Sequence, residues 1–534
     1  MKIKEIIGVK DRIRFLLENE SGKKEKYAVK VQRPFGVKEV GDLEAEGEGD
    51  FSIPRYIGEE DLLTAEFIVT TMENRAGKAV KEKLDGPRYV TDLCEASLFS
   101  SPYPTFKTKK TLPECDDDYE TLQIEQTVLN INLPAIMTVH PGEKDIEFKV
   151  NGESYFFLEE RIQEIDEFME RVARRKSAVT AILLNSPRLF DSTGEKELLA
   201  DCIHPDFDWE EKNAFISAFP MQTEKGQAYY QAFVEFLAAR YAGGEEKYRC
   251  LKGMIVSNEI NSQYIWGNAG EKNVEEYMEE YTEALRLTYL AGRKYYDNLR
   301  VYVSLDHLFN ISYDQASCFA PQPKRYYRGR QVLELLNENG QRDGNFAWSV
   351  AYHPYPEDLN HPDFYNDRTA CFYFSTPRIT YKNIEMLPAY LAQERFLHRG
   401  QERRIILSEQ GFNSKDDGIT EYQGAAAYCL AYEKVKALST IDMMMNHAYV
   451  DNKYEFGLHL GIRKAGVDGS PGEPRPIYYC MKDMGTDREK KRVEEARSFI
   501  GGPLFDSILH PEIVAADDPK AVNMEFFEDE QEQG

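Results

Sequence analysis

Three tryptophans, eight scattered cysteines, positive charges outnumbered by negative ones and no long apolar run mark what this 534-residue sequence has little of or lacks. With no stretch of about eighteen apolar residues there is no candidate membrane-spanning helix. The amino-terminal run Met1-Lys-Ile-Lys-Glu-Ile-Ile-Gly-Val-Lys-Asp11 has no apolar segment of secretory-signal length. A cytoplasmic protein without a membrane partner is expected. The cysteines, at 94, 115, 202, 250, 318, 371, 429 and 480, show no Cys-x-x-Cys or other ligand-like spacing, so reduced thiols are expected and a zinc or disulfide framework is not. Lys and Arg number 66 against 92 Asp and Glu, and the resulting −26 argues against broad attraction to nucleic acid. No Gly-x-Ser-x-Gly elbow and no glycine-rich phosphate loop is present. No cofactor is therefore expected.

What is present is a globular composition rich in tyrosine and phenylalanine, on a chain long enough for a large core. Residues 1–110 carry the strand-like runs Ile13–Leu17, Tyr27–Val31 and Leu62–Thr71, which predict an amino-terminal antiparallel β domain of sandwich type. The acidic piece Glu44–Asp50 reads as a solvated turn within it. Ser97–Asp118, with Pro102, Pro104 and Pro113, reads as a linker or wrapped connection. From about Gln123 strands and helices alternate. The strand candidates are Ile124–Leu133, Ala178–Leu184, Ala214–Phe219, Gly253–Ser257, Val301–Leu305, Trp348–Tyr352, Arg404–Leu407 and Asp442–Asn446. Eight such units are the count of a closed (β/α)₈ barrel, so the expected fold is α/β, a TIM barrel over residues 111–505 followed by an acidic tail, 506–534. An open doubly wound sheet would want a glycine-rich turn after its first strand, and none is there. Asn151-Gly152, between two alternating runs, predicts a two-residue hairpin after the first strand, and Asn273 with Glu276 predicts a helix start.

Two of the strand candidates end alike. Leu251-Lys-Gly-Met-Ile-Val-Ser-Asn-Glu259 and Arg403-Arg-Ile-Ile-Leu-Ser-Glu409 are apolar runs that deliver a glutamate to a polar, aromatic sequel. On the fourth and seventh strands of one barrel they would face each other across its mouth. Glycoside cleavage needs a proton donor for the leaving oxygen together with a carboxylate nucleophile or a base that activates water, and such a pair supplies both.

Val256-Ser-Asn-Glu-Ile-Asn261 and Ile406-Leu-Ser-Glu-Gln-Gly411 resemble the acid/base and nucleophile motifs of clan A retaining glycoside hydrolases, over roughly residues 120–505. The whole chain also resembles a family of barrel proteins of unknown function. The clan resemblance implies Glu259 as general acid/base, Glu409 as nucleophile, Asn258 as a ligand of a sugar hydroxyl, and His353 or Tyr355 of Tyr352-His-Pro-Tyr-Pro356 as the group that orients Glu409. Asn130, Asp306, His307 and His447, at other strand ends, are further candidates for the carbohydrate. The eighth strand lacks the tryptophan platform that many clan members have, which leaves Tyr449, Trp348 or, foremost, Trp266 as the aromatic surface. No metal is expected, because the first strand has no His-x-His, although a metal-dependent hydrolase stays open as an alternative. A barrel that binds glycans without turnover is the other alternative.

Overall fold

The computed structural model describes residues 2–18, 25–47, 49–75, 78–115, 118–189 and 192–518. Residues 519–534 of the expected acidic tail, and Glu48 of the expected acidic turn, lie outside them.

The centre of the molecule is a closed barrel of eight parallel strands: β1 Lys110–Thr111, β2 Gln126–Asn132, β3 Ala178–Leu184, β4 Leu251–Val256, β5 Arg300–Asp306, β6 Trp348–His353, β7 Ile405–Leu407 and β8 Ile441–Met445. Seven of the expected strands are among them, to within a few residues. The exception is Ala214–Phe219. It is not a barrel strand but a connection that crosses the mouth, making one isolated bridge from Ser217 to Asn268. Its apolar character comes from burial of Ala214, Ile216 and Phe219, not from sheet pairing. The missing strand is β1, two residues that pair with both β2 and β8 and so close the barrel. It falls in the stretch read as a linker. The strand gained before β2 offsets the one lost after β3, so Glu259 and Glu409 still follow the fourth and seventh strands.

Side chains alternate along each strand. Val128, Ile182, Leu184, Ile255, Tyr302, Ala351, Ile406, Met443 and Met445 form a separate inner cluster that fills the barrel. Its lower end is closed by charge. Arg300 Nη1 and Arg404 Nε donate to Asp442 Oδ2 at 2.6 and 2.9 Å, and the Arg300 guanidinium lies 3.4 Å from the centre of the Tyr103 ring, which the connection before β1 carries beneath the barrel. The carboxyl-terminal end is the open one. Asn130, two residues beyond Val128 on the same face of β2, is exposed there.

After β2 comes the expected hairpin, Ile146–Val150 with Glu153–Phe157, turning at Asn151 and Gly152, both of positive φ as the two-residue turn requires. The helix Val274–Arg293 starts at the expected capping box of Asn273 and Glu276. Helices follow the other strands, but among the described residues none lies between β1 and β2.

The amino-terminal region is two four-stranded sheets, one with Ile3–Gly8, Arg12–Leu17, Phe51–Pro54 and the parallel edge Asp92–Leu93, the other with Glu39–Gly47, Glu25–Gln32, Glu66–Arg75 and Lys78–Arg88. They meet face to face. Tyr27 stacks on Phe51 at 4.2 Å and Phe67 meets Phe15 edge-on at 5.4 Å. The acidic piece read as a turn is instead the end of the edge strand Glu39–Gly47, paired with Glu25–Gln32. Charge on an edge strand discourages pairing with another chain, so the polarity has a reason other than a turn. Bonds from Gln227 Nε2 to Pro34 O at 2.8 Å and from Lys294 Nζ to Asp61 at 3.1 Å tie these sheets to the barrel helices. The helix Gly502–Leu509 runs across the limit expected at 505/506. No helix of the described residues is long and apolar enough to cross a membrane.

Candidate active site

Beyond β4 the backbone turns sharply. Ser257 and Glu259 both have left-handed φ, 64° and 35°. Each costs a non-glycine residue on the order of 1 kcal/mol or more, so the surroundings must impose it. They do so from two sides. Ser257 Oγ donates to Trp266 O at 2.9 Å, and Glu259 N donates to Ser304 Oγ of β5 at 3.0 Å. The following turn, Ile260–Ser262, is gripped by Asp306. Asn261 Nδ2 donates to Asp306 Oδ1 at 2.6 Å, Ser262 Oγ donates to Oδ2 at 2.9 Å, and Asp306 N donates back to Asn261 Oδ1 at 3.1 Å.

The Glu259 carboxylate then meets β6. His353, buried and inward-facing, has Nδ1 2.8 Å from Glu259 Oε1 and Nε2 3.1 Å from Ser408 Oγ. One imidazole thus links the glutamate after β4 to the residue just before Glu409. Burial pulls the ring's pKa down, but Glu409, Glu259 and Asp306 outweigh it and leave it raised. Two residues on, the Tyr355 hydroxyl donates to Glu409 Oε1 at 3.0 Å. Burial, then Glu409 and Glu259, push that hydroxyl well above the usual phenol value, so it remains a donor. Donor atoms of Glu259, His353 and Glu409 all lie within 4.8 Å of one another. The Glu259 side chain keeps 15% of its surface open and Glu409 is half-buried, so both carboxylates can be reached.

The remaining expected residues divide into three groups. Asn258 and Asn130 stand at the mouth with exposed or half-exposed side chains. Trp266 lies on Phe215, ring centres 5.2 Å apart, and the pair packs over the inner barrel cluster. His447, after β8, holds Glu455 Oε1 at 3.1 Å through Nε2. Burial lowers its pKa, but Glu455 and Glu409 raise it further, for a net rise.

A second group is present but committed elsewhere. Asp306 spends its oxygens on Asn261, Ser262 and the Leu308 amide, so it organises the turn and does not offer them to a sugar. Burial and then the Glu259 charge raise its pKa. His307 is turned into the protein. Its Nδ1 is buried with no hydrogen-bond partner among the described residues, and burial, then Arg378, hold the ring at about 3, hence neutral. Of the two groups expected to orient Glu409, Tyr355 bonds it and His353 bonds Glu259.

The third group is excluded from the role expected of it. Tyr449 is buried, and its hydroxyl donates to Asp118 Oδ2 at 2.7 Å in a knot with Arg463 and Tyr478. Trp348 is 1% exposed beneath the Arg403 guanidinium. Neither ring has a face to give a sugar.

Ser304, Ser408, Asn261 and Phe215 also build the site and are not among the residues expected from the sequence. The first two had a signal. They stand two residues from Asp306 and Ile406 on inward positions, which strand periodicity alone assigns to the same face. Phe215 was hidden by the strand reading of its segment, and Asn261 acts only because β5 lies beside the turn.

A family model described as a family of unknown function, DUF5722, matches residues 102–508. No curated protein matches the chain. Solved structures similar to it include a family 39 glycoside hydrolase from the gut symbiont Bacteroides cellulosilyticus WH2, 12% identical, covering 91% of this chain and 83% of that one with a TM-score of 0.43. A β-glycosidase from the hyperthermophile Thermosphaera aggregans is 11% identical over 71% of this chain and 86% of its own, TM-score 0.44. A β-D-glucuronidase of Dictyoglomus thermophilum is 10% identical over 91% and 68%, TM-score 0.35. Identities this low leave the chemistry of the site to its own residues.

Proposed function

We propose that this chain, which belongs to the DUF5722 family of unknown function, is a retaining glycoside hydrolase acting on β-linked glycosides or oligosaccharides. The observation that carries this reading is the approach of Glu259 and Glu409, with a carboxylate oxygen of each within 4.8 Å of the other. Inversion needs room for a water between base and sugar, with carboxyl groups about 6.5–9.5 Å apart, whereas a nucleophile working with an acid needs about 5–5.5 Å.

In the first step a Glu409 oxygen attacks the anomeric carbon while Glu259 gives its proton to the departing glycosidic oxygen. A glycosyl ester forms on Glu409 and the alcohol leaves. Glu259, now ionised, takes a proton from water, the water oxygen attacks the same carbon, and Glu409 departs as carboxylate. Two displacements restore the original configuration. The Tyr355 hydroxyl, fixed on Oε1, leaves the other Glu409 oxygen to attack and stabilises the carboxylate as leaving group. His353 holds Glu259 through one nitrogen and Ser408 through the other, so the distance between the two glutamates is set by a side chain with two short arms.

Proton NMR of an aryl β-glycoside digestion tests the reading: the first sugar released is the β anomer, and an α anomer appearing first would rule out double displacement. A protein that binds glycans and hydrolyses none of a panel of aryl glycosides would instead be a binding barrel.

One observation favours a second reading. The donor atoms of Glu259, His353 and Glu409 are close enough to hold a divalent ion such as zinc, which a metal-dependent hydrolase would use to activate water. Against it, both ring nitrogens of His353 already have partners. Elemental analysis of the purified protein, with activity measured before and after EDTA, separates the two. Substoichiometric zinc and unchanged activity are expected, and zinc lost in step with activity would replace the two-glutamate mechanism.

A further inference from the structure

We infer that Asp306 is the positioning residue of the acid/base: from β5 it holds the turn after Glu259 and so keeps that glutamate aimed at Glu409. The inference rests on the two-glutamate reading.

The left-handed φ of Glu259 has to be imposed, since a glutamate free to relax would take an extended or right-handed backbone and carry its carboxylate off line. The turn Ile260–Ser262 starts on Glu259 and makes the bond that closes over it, Ser262 N to Glu259 O at 2.8 Å. Both polar side chains of that turn end on Asp306, Asn261 on one oxygen at 2.6 Å and Ser262 on the other at 2.9 Å. The clamp is reciprocal, because the Asp306 amide donates to Asn261 Oδ1 at 3.1 Å. The Leu308 amide, 2.7 Å from Oδ1, fixes the carboxylate from its far side. Two residues earlier on the same face, Ser304 holds the Glu259 amide at 3.0 Å. β5 itself is hydrogen-bonded to β4 and β6, so the grip is anchored in the barrel wall and not in a loop. Among the described residues, the hydrogen bonds that Asp306 accepts come from this turn and from the Leu308 amide just beyond its own strand. Leu308 aside, the hydrogen bonds of Asp306 are therefore confined to the turn that carries the group that moves the proton.

That confinement gives a test a merely structural role would not pass. In Asp306→Asn one acceptor oxygen becomes a donor facing other donors. For an alkyl β-glycoside, whose leaving oxygen needs the proton, kcat/KM falls by about 100-fold. For a dinitrophenyl β-glycoside, whose leaving group departs unprotonated, kcat/KM stays within about threefold. Asn261→Ala, which removes the other half of the clamp, shows the same split and serves if Asp306→Asn fails to fold. Equal losses with both substrates, or no loss with either, overturn the inference. A crystal structure of either variant reads it without turnover: Glu259 leaves the left-handed region and its carboxylate moves away from Glu409. A Glu259 that stays in place overturns the inference whatever the protein hydrolyses, whereas an inactive unsubstituted protein counts against the glycosidase reading alone.

Discussion

Glu409→Gly abolishes hydrolysis of aryl β-glycosides, with kcat down by at least about 10⁴-fold, because no other described carboxylate is held where it can form the ester intermediate. Among the described residues the neighbouring acids are otherwise engaged: Asp306 in its turn and Glu455 on His447. Azide or formate added to the glycine variant fills the space of the lost side chain. Acting from the same face as Glu409, it restores turnover of an activated glycoside, and azide gives the α-glycosyl azide. That inverted product is the distinguishing result, since it shows where the missing nucleophile stood. Glu409→Gln is the control for shape. It keeps an oxygen for the Tyr355 hydroxyl and loses the negative charge, so it should fold as the parent does and remain inactive. Hydrolysis retained in both variants would sink the nucleophile assignment.

Glu259→Ala gives the second large effect, of a different form. Removing a general acid costs about 10²–10⁴-fold when the leaving group must be protonated and much less when it need not be. Unactivated glycosides therefore lose most of their kcat/KM, while dinitrophenyl glycosides lose little of it and accumulate the glycosyl-enzyme, because the water that should release it has lost its base. Azide, which needs no base, then raises kcat and gives the β-glycosyl azide, opposite in configuration to the product of the Glu409 variant. The acid limb and the basic limb of the kcat/KM profile are also separated by this variant. The limb on the basic side, where the parent loses its proton donor, flattens, while the acidic limb remains. The assignment fails if both classes of substrate are affected alike.

His353 enters both experiments as a neighbour. Its ring carries a raised pKa that depends on Glu409 and Glu259 together, so each substitution removes part of what favours the imidazolium. The two-arm contact to Glu259 and Ser408 explains why a histidine at that position suits a site whose spacing matters more than its charge. The mouth is held from outside as well. Arg475, 1% exposed, donates to Asp416 at 2.7 Å, Glu421 at 2.8 Å and Asp451 at 2.6 Å, and so ties the segments after β7 and β8 to each other.

By itself the sequence determined the barrel and placed Glu259 and Glu409 just beyond its fourth and seventh strands. Short apolar runs at regular intervals, each followed by helical periodicity, can bury themselves in few ways, and the alternation of side chains along a strand assigns inward and outward faces without any coordinates. Seven strands, the hairpin at Asn151-Gly152 and the capping box at Asn273 follow from such local rules. Only the tertiary structure decided the rest. β1 has two residues and no pattern of its own, and it is a strand because β2 and β8 stand on either side of it. Ala214–Phe219 has the pattern and is not one, because a segment laid across the mouth is as apolar beneath as a strand is in the wall. Tyr449 and Trp348 have the right chemistry for a sugar platform and the wrong exposure, and exposure belongs to the fold. Most of all, the sequence places Glu259 and Asp306 forty-seven residues apart, and the clamp between its turn and β5 exists only because neighbouring strands of a closed barrel bring their ends together.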